Sequence, residues 1–80
     1  MKNGKSSGVD GAGVVKEMRT TVRGVRVLVE LSRDAGGELY LTASENDRPV
    51  SWERIYADAW GHRRFADAVR RYAWIAAAAA

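Results

Sequence analysis

Arg63, Arg64, Asp67, Arg70, Arg71 and Trp74 recur along the end of the chain at intervals of three and four residues. With ~100° per residue, Arg63, Asp67, Arg70 and Trp74 share one side of a helix, and Arg64 and Arg71 flank it. Phe65, Ala68, Val69, Tyr72, Ile75 and Ala76 fall on the opposite side. Guanidinium groups around an indole are recognition chemistry. Tryptophan and arginine are enriched among the residues that dominate interface energies, and the planar guanidinium fork matches a carboxylate. A plainer reading is also open. Arg63–Asp67 and Asp67–Arg71 are i,i+4 pairs that solubilise a helix, and Trp74 can stack on Arg70. The candidate partner-binding set is Trp74, Arg70, Arg71, Arg63 and Arg64.

Catalytic and metal chemistry finds little support. His62 is the only histidine, and there is no cysteine. Zinc sites draw on several nitrogen or sulfur ligands, and a histidine base needs a positioned partner and a pocket. Asp58, four residues earlier, is the one carboxylate near enough in sequence to serve. Gly4-Lys5-Ser6 ends like a phosphate-binding loop, but the upstream glycine and the buried strand of that motif are lacking. No serine sits in a nucleophile-elbow context. The chain reads as a non-enzyme that needs no cofactor or metal.

Charge separates the chain into thirds. Residues 1–23 carry five lysines and arginines against two carboxylates, residues 24–50 three against five, and residues 51–80 five against three. Basic ends around an acidic middle are compatible with nucleic acid but fall short of a dedicated polycation. The amino terminus lacks the apolar run of an export signal. The stretch from Trp74 to Ala80 is too short to cross a bilayer. No membrane role is expected, and a cytoplasmic location is the default.

Positioning that arginine–tryptophan face is the task of a small domain. Residues 1–13 are rich in glycine and serine and read as a flexible arm, so residues 14–80 form the single folded unit. A core that small is marginal alone, so a homodimer or a partner surface is the expected source of further burial. Val25, Val27, Val29 and Leu31 alternate with Arg26, Leu28, Glu30 and Ser32, and Leu39, Leu41 and Ala43 with Tyr40 and Thr42, which predicts a β-hairpin spanning about 22–44. Parity requires Leu31 to face the side of Leu39 or Leu41. Pairing with Leu39, around a loop of Asp34 to Gly36 with Gly36 left-handed, is preferred over pairing with Leu41 around Ala35 to Gly37. Val14 to Val22 suits a third strand, because a lone hairpin is marginal in water, with Gly24 as a bend.

Six of the seven aromatic residues lie between Ser51 and Ala80. Trp52, Ile55, Tyr56, Ala59 and Trp60 form one helical stripe near ~10°, and the Phe65 stripe lies near ~200° on the same scale. One straight helix would point these stripes in opposite directions, so the sequence predicts two helices bent back at Gly61, the first capped by Ser51 with Glu53 in its opening turn. Glu45 to Pro49 reads as a polar loop before them. Three large aromatics at Trp52, Tyr56 and Trp60 would overfill a contact with one hairpin, which leaves some for a partner. The closing alanines suit a helical tail. The expected fold is α+β: a two- or three-stranded antiparallel sheet packed by a C-terminal helical pair broken at Gly61.

Two function classes remain. The first is a protein-binding module, a regulator or inhibitor that occludes a partner. In size and character it is analogous to the anti-restriction and anti-CRISPR inhibitors of phages and mobile elements. The second is a nucleic-acid binder. A Gly61 turn superficially resembles a helix-turn-helix, with Ala57 as the small residue four positions before the glycine. However, Asp67 and Arg70 stand where the recognition helix needs apolar residues. A ribbon-helix-helix strand would present Arg26, Leu28 and Glu30 to DNA, and Glu30 weakens phosphate attraction. Charge balance ranks protein binding first.

Overall fold

The computed structural model describes residues 13–79. The expected arm lies outside the described residues except for Gly13, which opens the first strand. The elements run β1 (Gly13–Val22), β2 (Val25–Arg33), β3 (Leu39–Glu45), β4 (Arg48–Ile55) and α1 (Asp58–Ala79). The strands form one antiparallel meander in the order β1-β2-β3-β4. The α+β class stands, with four strands and one helix in place of two or three strands and a helical pair.

Each hairpin follows from its turn residues. Arg23 and Gly24 take φ of 54° and 78°, and Asn46 and Asp47 take 51° and 69°. Two successive left-handed residues make the mirror-image turn whose twist suits a two-residue hairpin. Gly24 is therefore half of a tight turn and not a bend, and the polar stretch before Pro49 is a hairpin tip and not a loop leading to a helix. The tip is pinned to β2, where the Arg26 backbone N–H donates to Asn46 Oδ1 at 3.0 Å and Asn46 N donates to the Arg26 carbonyl at 2.8 Å.

The central hairpin keeps the required parity but takes the other register, Leu31 opposite Leu41 and Arg33 opposite Leu39. Gly37, with φ of 86°, holds the left-handed position expected of Gly36. The loop is Ala35 to Gly37. It is closed by Asp34 N to the Glu38 carbonyl and Gly37 N to the Asp34 carbonyl, both at 2.9 Å, and by the Asp34 carboxylate accepting from Glu38 N at 2.9 Å. Both registers enclose three residues, and the observed one is held by the bond from Glu38 N to the Asp34 carboxylate.

The largest correction concerns residues 48–61. Ser51 caps no helix; it lies in β4 opposite Ala43. Trp52 pairs with Thr42 and Ile55 with Leu39, so the first apolar stripe belongs to a strand. The helix begins at Asp58, with Gly61 N donating to the Ala57 carbonyl at 3.0 Å, and it runs through Gly61 unbroken. Gly61 is buried because the helix touches the sheet there. A Cβ would lie 2.8 Å from Leu39 Cδ2, 3.1 Å from Ile55 Cγ2 and 3.2 Å from Leu31 Cδ1. The glycine is needed for close approach and terminates nothing. Among the described residues there is one helix, so the turn between two helices expected at Gly61 is not formed.

The core is one-sided. Val22, Val27, Val29, Leu31, Leu39, Leu41, Ala43 and Ile55 are buried on the sheet face beneath α1, with Met18, Val25, Phe65, Ala68, Tyr72 and Ile75 packed against them. Val29 and Leu31, on the central strand β2, are fully enclosed. Asp58 anchors the start of α1 to the end of β2 through Arg33, at 3.1 Å. Its carboxylate also lies near the positive end of the helix dipole.

Candidate interaction surfaces

Because Gly61, Phe65, Ala68, Tyr72 and Ile75 take the sheet side of α1, the helical period turns Trp60, Arg63, Arg70 and Trp74 to solvent. All five residues predicted to bind a partner lie on this one helix, and they divide into two groups. Trp74 is 72% exposed, and Arg63, Arg70 and Arg71 are exposed along the same helix. Arg64 is half-buried and faces the sheet edge. Its guanidinium donates to the Glu53 carboxylate on β4 at 3.2 and 3.3 Å and reaches Asp67 at 3.4 Å. The hydrogen bond and charge of Glu53, with help from Asp67, hold the Arg64 pKa above its ordinary value. Arg70 also engages Asp67. Asp67 thus ties down Arg64 and Arg70, while Arg63 and Arg71 have no carboxylate partner among the described residues.

Trp60 joins this face. It is 46% exposed, with the Arg63 and Arg64 guanidiniums 5.7 and 5.9 Å from its ring centroid. Trp60 and Trp74 are separated by fourteen residues, about 21 Å along the helix at 1.5 Å per residue. An indole therefore stands at each end of an arginine-rich stripe. Sequence reasoning missed Trp60 by assigning it to the apolar stripe of a preceding helix. Its spacing to Arg63, Asp67, Arg70 and Trp74 carried the signal.

A second exposed cluster occupies the sheet face away from α1. Tyr40 and Trp52 stack with ring centroids 5.0 Å apart and an interplanar angle of 29°. Tyr40 Oη donates to Glu38 at 3.0 Å, and Arg54 binds the same carboxylate at 2.7 Å. This hydrogen bond raises the Tyr40 pKa. Arg54 also lies 4.8 Å from the ring of Tyr56. Trp52 and Tyr56 are 65% and 81% exposed, so neither is a core residue as their spacing implied. The arginines of this face are neutralised locally: Arg19 by Glu17 at 2.8 Å, Arg26 by Asp47 at 3.1 Å and Arg54 by Glu38. A concavity of about 310 Å³ beside Arg19, Arg26, Leu28 and Ser44 lies among these closed pairs.

No catalytic constellation forms around His62. The residue is exposed, and the Asp58 carboxylate that could orient it is held by Arg33 at 3.1 and 3.2 Å. Among the described residues no three side chains of His, Asp or Glu come together as a metal site, and no helix is long and apolar enough to cross a membrane. Comparison of the chain with protein-family models, curated proteins and solved structures finds no match.

Proposed function

We propose that the chain is a small non-enzymatic protein-binding module that regulates or inhibits a partner by laying the solvent face of α1 over it. The observation carrying this reading is the stripe itself: Trp60 and Trp74 exposed at 46% and 72% at its two ends, with Arg63, Arg70 and Arg71 exposed between and beside them. Indole surface left in water gains free energy when a partner covers it. Arginine and tryptophan together match the composition of interface hot spots. The face holds four arginines against Asp67, so the partner that fits it presents apolar pockets rimmed by carboxylates, and charge steers the encounter. The proposed contact residues are Trp74, Arg70, Arg71 and Arg63, with Trp60 added. Arg64 braces the stripe through Glu53 and touches the partner at the rim.

The test is capture by the tagged chain from cells that carry it, with and without nuclease, beside the variant Trp74→Ala/Arg70→Ala. The expected result is a protein retained after digestion, released as salt is raised, and lost at least ~30-fold in the variant, as for removal of a hot-spot anchor. Unchanged capture by the variant would remove α1 as the contact face. Recovery of nucleic acid, with protein lost on digestion, would replace a protein partner with a nucleic-acid one.

A further inference from the structure

The two edges of the sheet are built differently. On β4, Pro49 has no N–H to offer, and the register shifts between Ala43 and Ser44, so this edge is broken for strand addition. β1 also has one register shift, between Val14 and Lys16, but it carries no proline, and beyond that shift its pairing to β2 is continuous from Lys16 to Val22. No described strand covers its outer side. We propose that this edge pairs with β1 of a second copy, antiparallel, with Met18 on the twofold axis, joining two sheets into one.

The register follows from geometry and charge. The two-residue turn at Arg23–Gly24 is closed by Val22 opposite Val25, which in such hairpins is a mutually hydrogen-bonded pair. Alternation along the ladder then directs the backbone groups of Thr20, Met18 and Lys16 to β2, and those of Thr21, Arg19 and Glu17 to the free edge. In a twofold antiparallel pairing, outward residues must oppose outward residues, so the axis passes through a residue. Three central registers exist. An axis at Glu17 sets Glu17 against its own copy, and an axis at Arg19 does the same for arginine. Only an axis at Met18 sets Glu17 opposite Arg19 of the second copy and Arg19 opposite its Glu17. Opposite charges directly across a pair are favourable and like charges are not. Within one chain Glu17 and Arg19 already lie 2.8 Å apart, so the paired edges form an alternating ring of four charges.

Two further features favour this edge. Glu17 lies opposite Glu30 on β2, and Glu30 has no cationic partner among the described residues. An arginine from a second copy adds positive charge to that acidic row. On the helix side, Met18 is half-buried beside an open apolar cleft of about 100 Å³ walled by Val22, Val69, Ala73 and Ala76. Pairing on the axis brings a second Met18 against the first at its mouth. The contact uses the same patch on both copies, as a twofold requires, and leaves the α1 stripe free, so it stands independently of the proposed function.

The full chain is measured by sedimentation equilibrium. A dimer is expected, with Arg19→Glu alone and Glu17→Arg alone each weakening it at least ~10-fold by setting like charges across the axis. The swap Glu17→Arg/Arg19→Glu is expected to restore it. Circular dichroism verifies that each variant keeps its fold. The chain has no native cysteine, so Met18→Cys is expected to form an intermolecular disulfide on oxidation. Lys16→Cys, whose mate lies about 13 Å away at 3.3 Å per residue, is not. A monomeric wild type, a swap that fails to restore the dimer, or crosslinking through Lys16→Cys in place of Met18→Cys would each overturn the proposal.

Discussion

The two sides of α1 use the same period for opposite ends. The sheet side carries Gly61, Phe65, Ala68, Tyr72 and Ile75 and closes the core over Leu31, Leu39 and Ile55. The solvent side carries Trp60, Arg63, Arg70 and Trp74, in which the largest side chains are the most wasted for folding. Hydrophobicity alone does not separate them, since tryptophans stand on the outside and a glycine sits at the tightest contact. What separates them is fit. The inner face is small where the sheet approaches and large where it recedes, whereas the outer face follows no such constraint. Stability and recognition should therefore respond to different substitutions in this one helix.

The largest effect is expected at Gly61. Gly61→Val places branched carbon where Leu39, Ile55 and Leu31 already lie within 3.2 Å of a bare Cβ. Overpacking of this kind should cost ~3 kcal/mol despite the gain over glycine in helix propensity, read as a fall in the urea midpoint. Phe65→Ala comes next. Phe65 is half-buried against the core and sits under Lys16 Nζ at 5.7 Å. Its truncation should cost about 2 kcal/mol, less than for a fully enclosed ring.

A smaller, pH-dependent effect is expected at Tyr72, where burial, then the hydrogen bond to Glu45 at 3.1 Å, raises the phenol pKa. A raised pKa means that the fold favours the neutral ring. This contribution is complete below the ordinary tyrosine pKa of about 10 and is lost as pH rises above it. The urea midpoint should therefore fall as pH rises past about 10. Tyr72→Phe should flatten that fall in part, because Tyr40 is shifted in the same direction. An equally steep fall in Tyr72→Phe would assign the pH dependence elsewhere.

Residue pattern made some of this architecture legible and hid the rest for definite reasons. Alternation at Val25 to Leu31 and at Leu39 to Ala43 specified β2 and β3, and Val14 to Val22 was correctly inclined to a strand. The spacing of Trp52, Tyr56 and Trp60 misled, because four residues is two strand repeats and also close to one helical turn. Gly61 reads as a terminator because the apolar stripes flip there and glycine can take the left-handed conformation that ends a helix, yet its requirement lies in atoms of Leu39, Ile55 and Leu31 that only the folded chain brings near. Turn register at Asp34 to Glu38 depended on one carboxylate–amide bond, which composition does not rank. The outer stripe at Arg63, Arg70, Arg71 and Trp74 was visible because it lies opposite Phe65 and Tyr72, and Trp60 was lost with the misassigned helix.

The division of labour in α1 is tested most directly by Trp60→Ala/Trp74→Ala, assayed for thermal midpoint and partner capture on the same preparation. The account predicts a midpoint within about 2 °C of wild type, as for exposed residues whose loss costs under ~0.5 kcal/mol, together with loss of capture. A midpoint lowered by about 8 °C or more, equivalent to more than ~1 kcal/mol in a domain of this size, would contradict it and make the two indoles part of the fold.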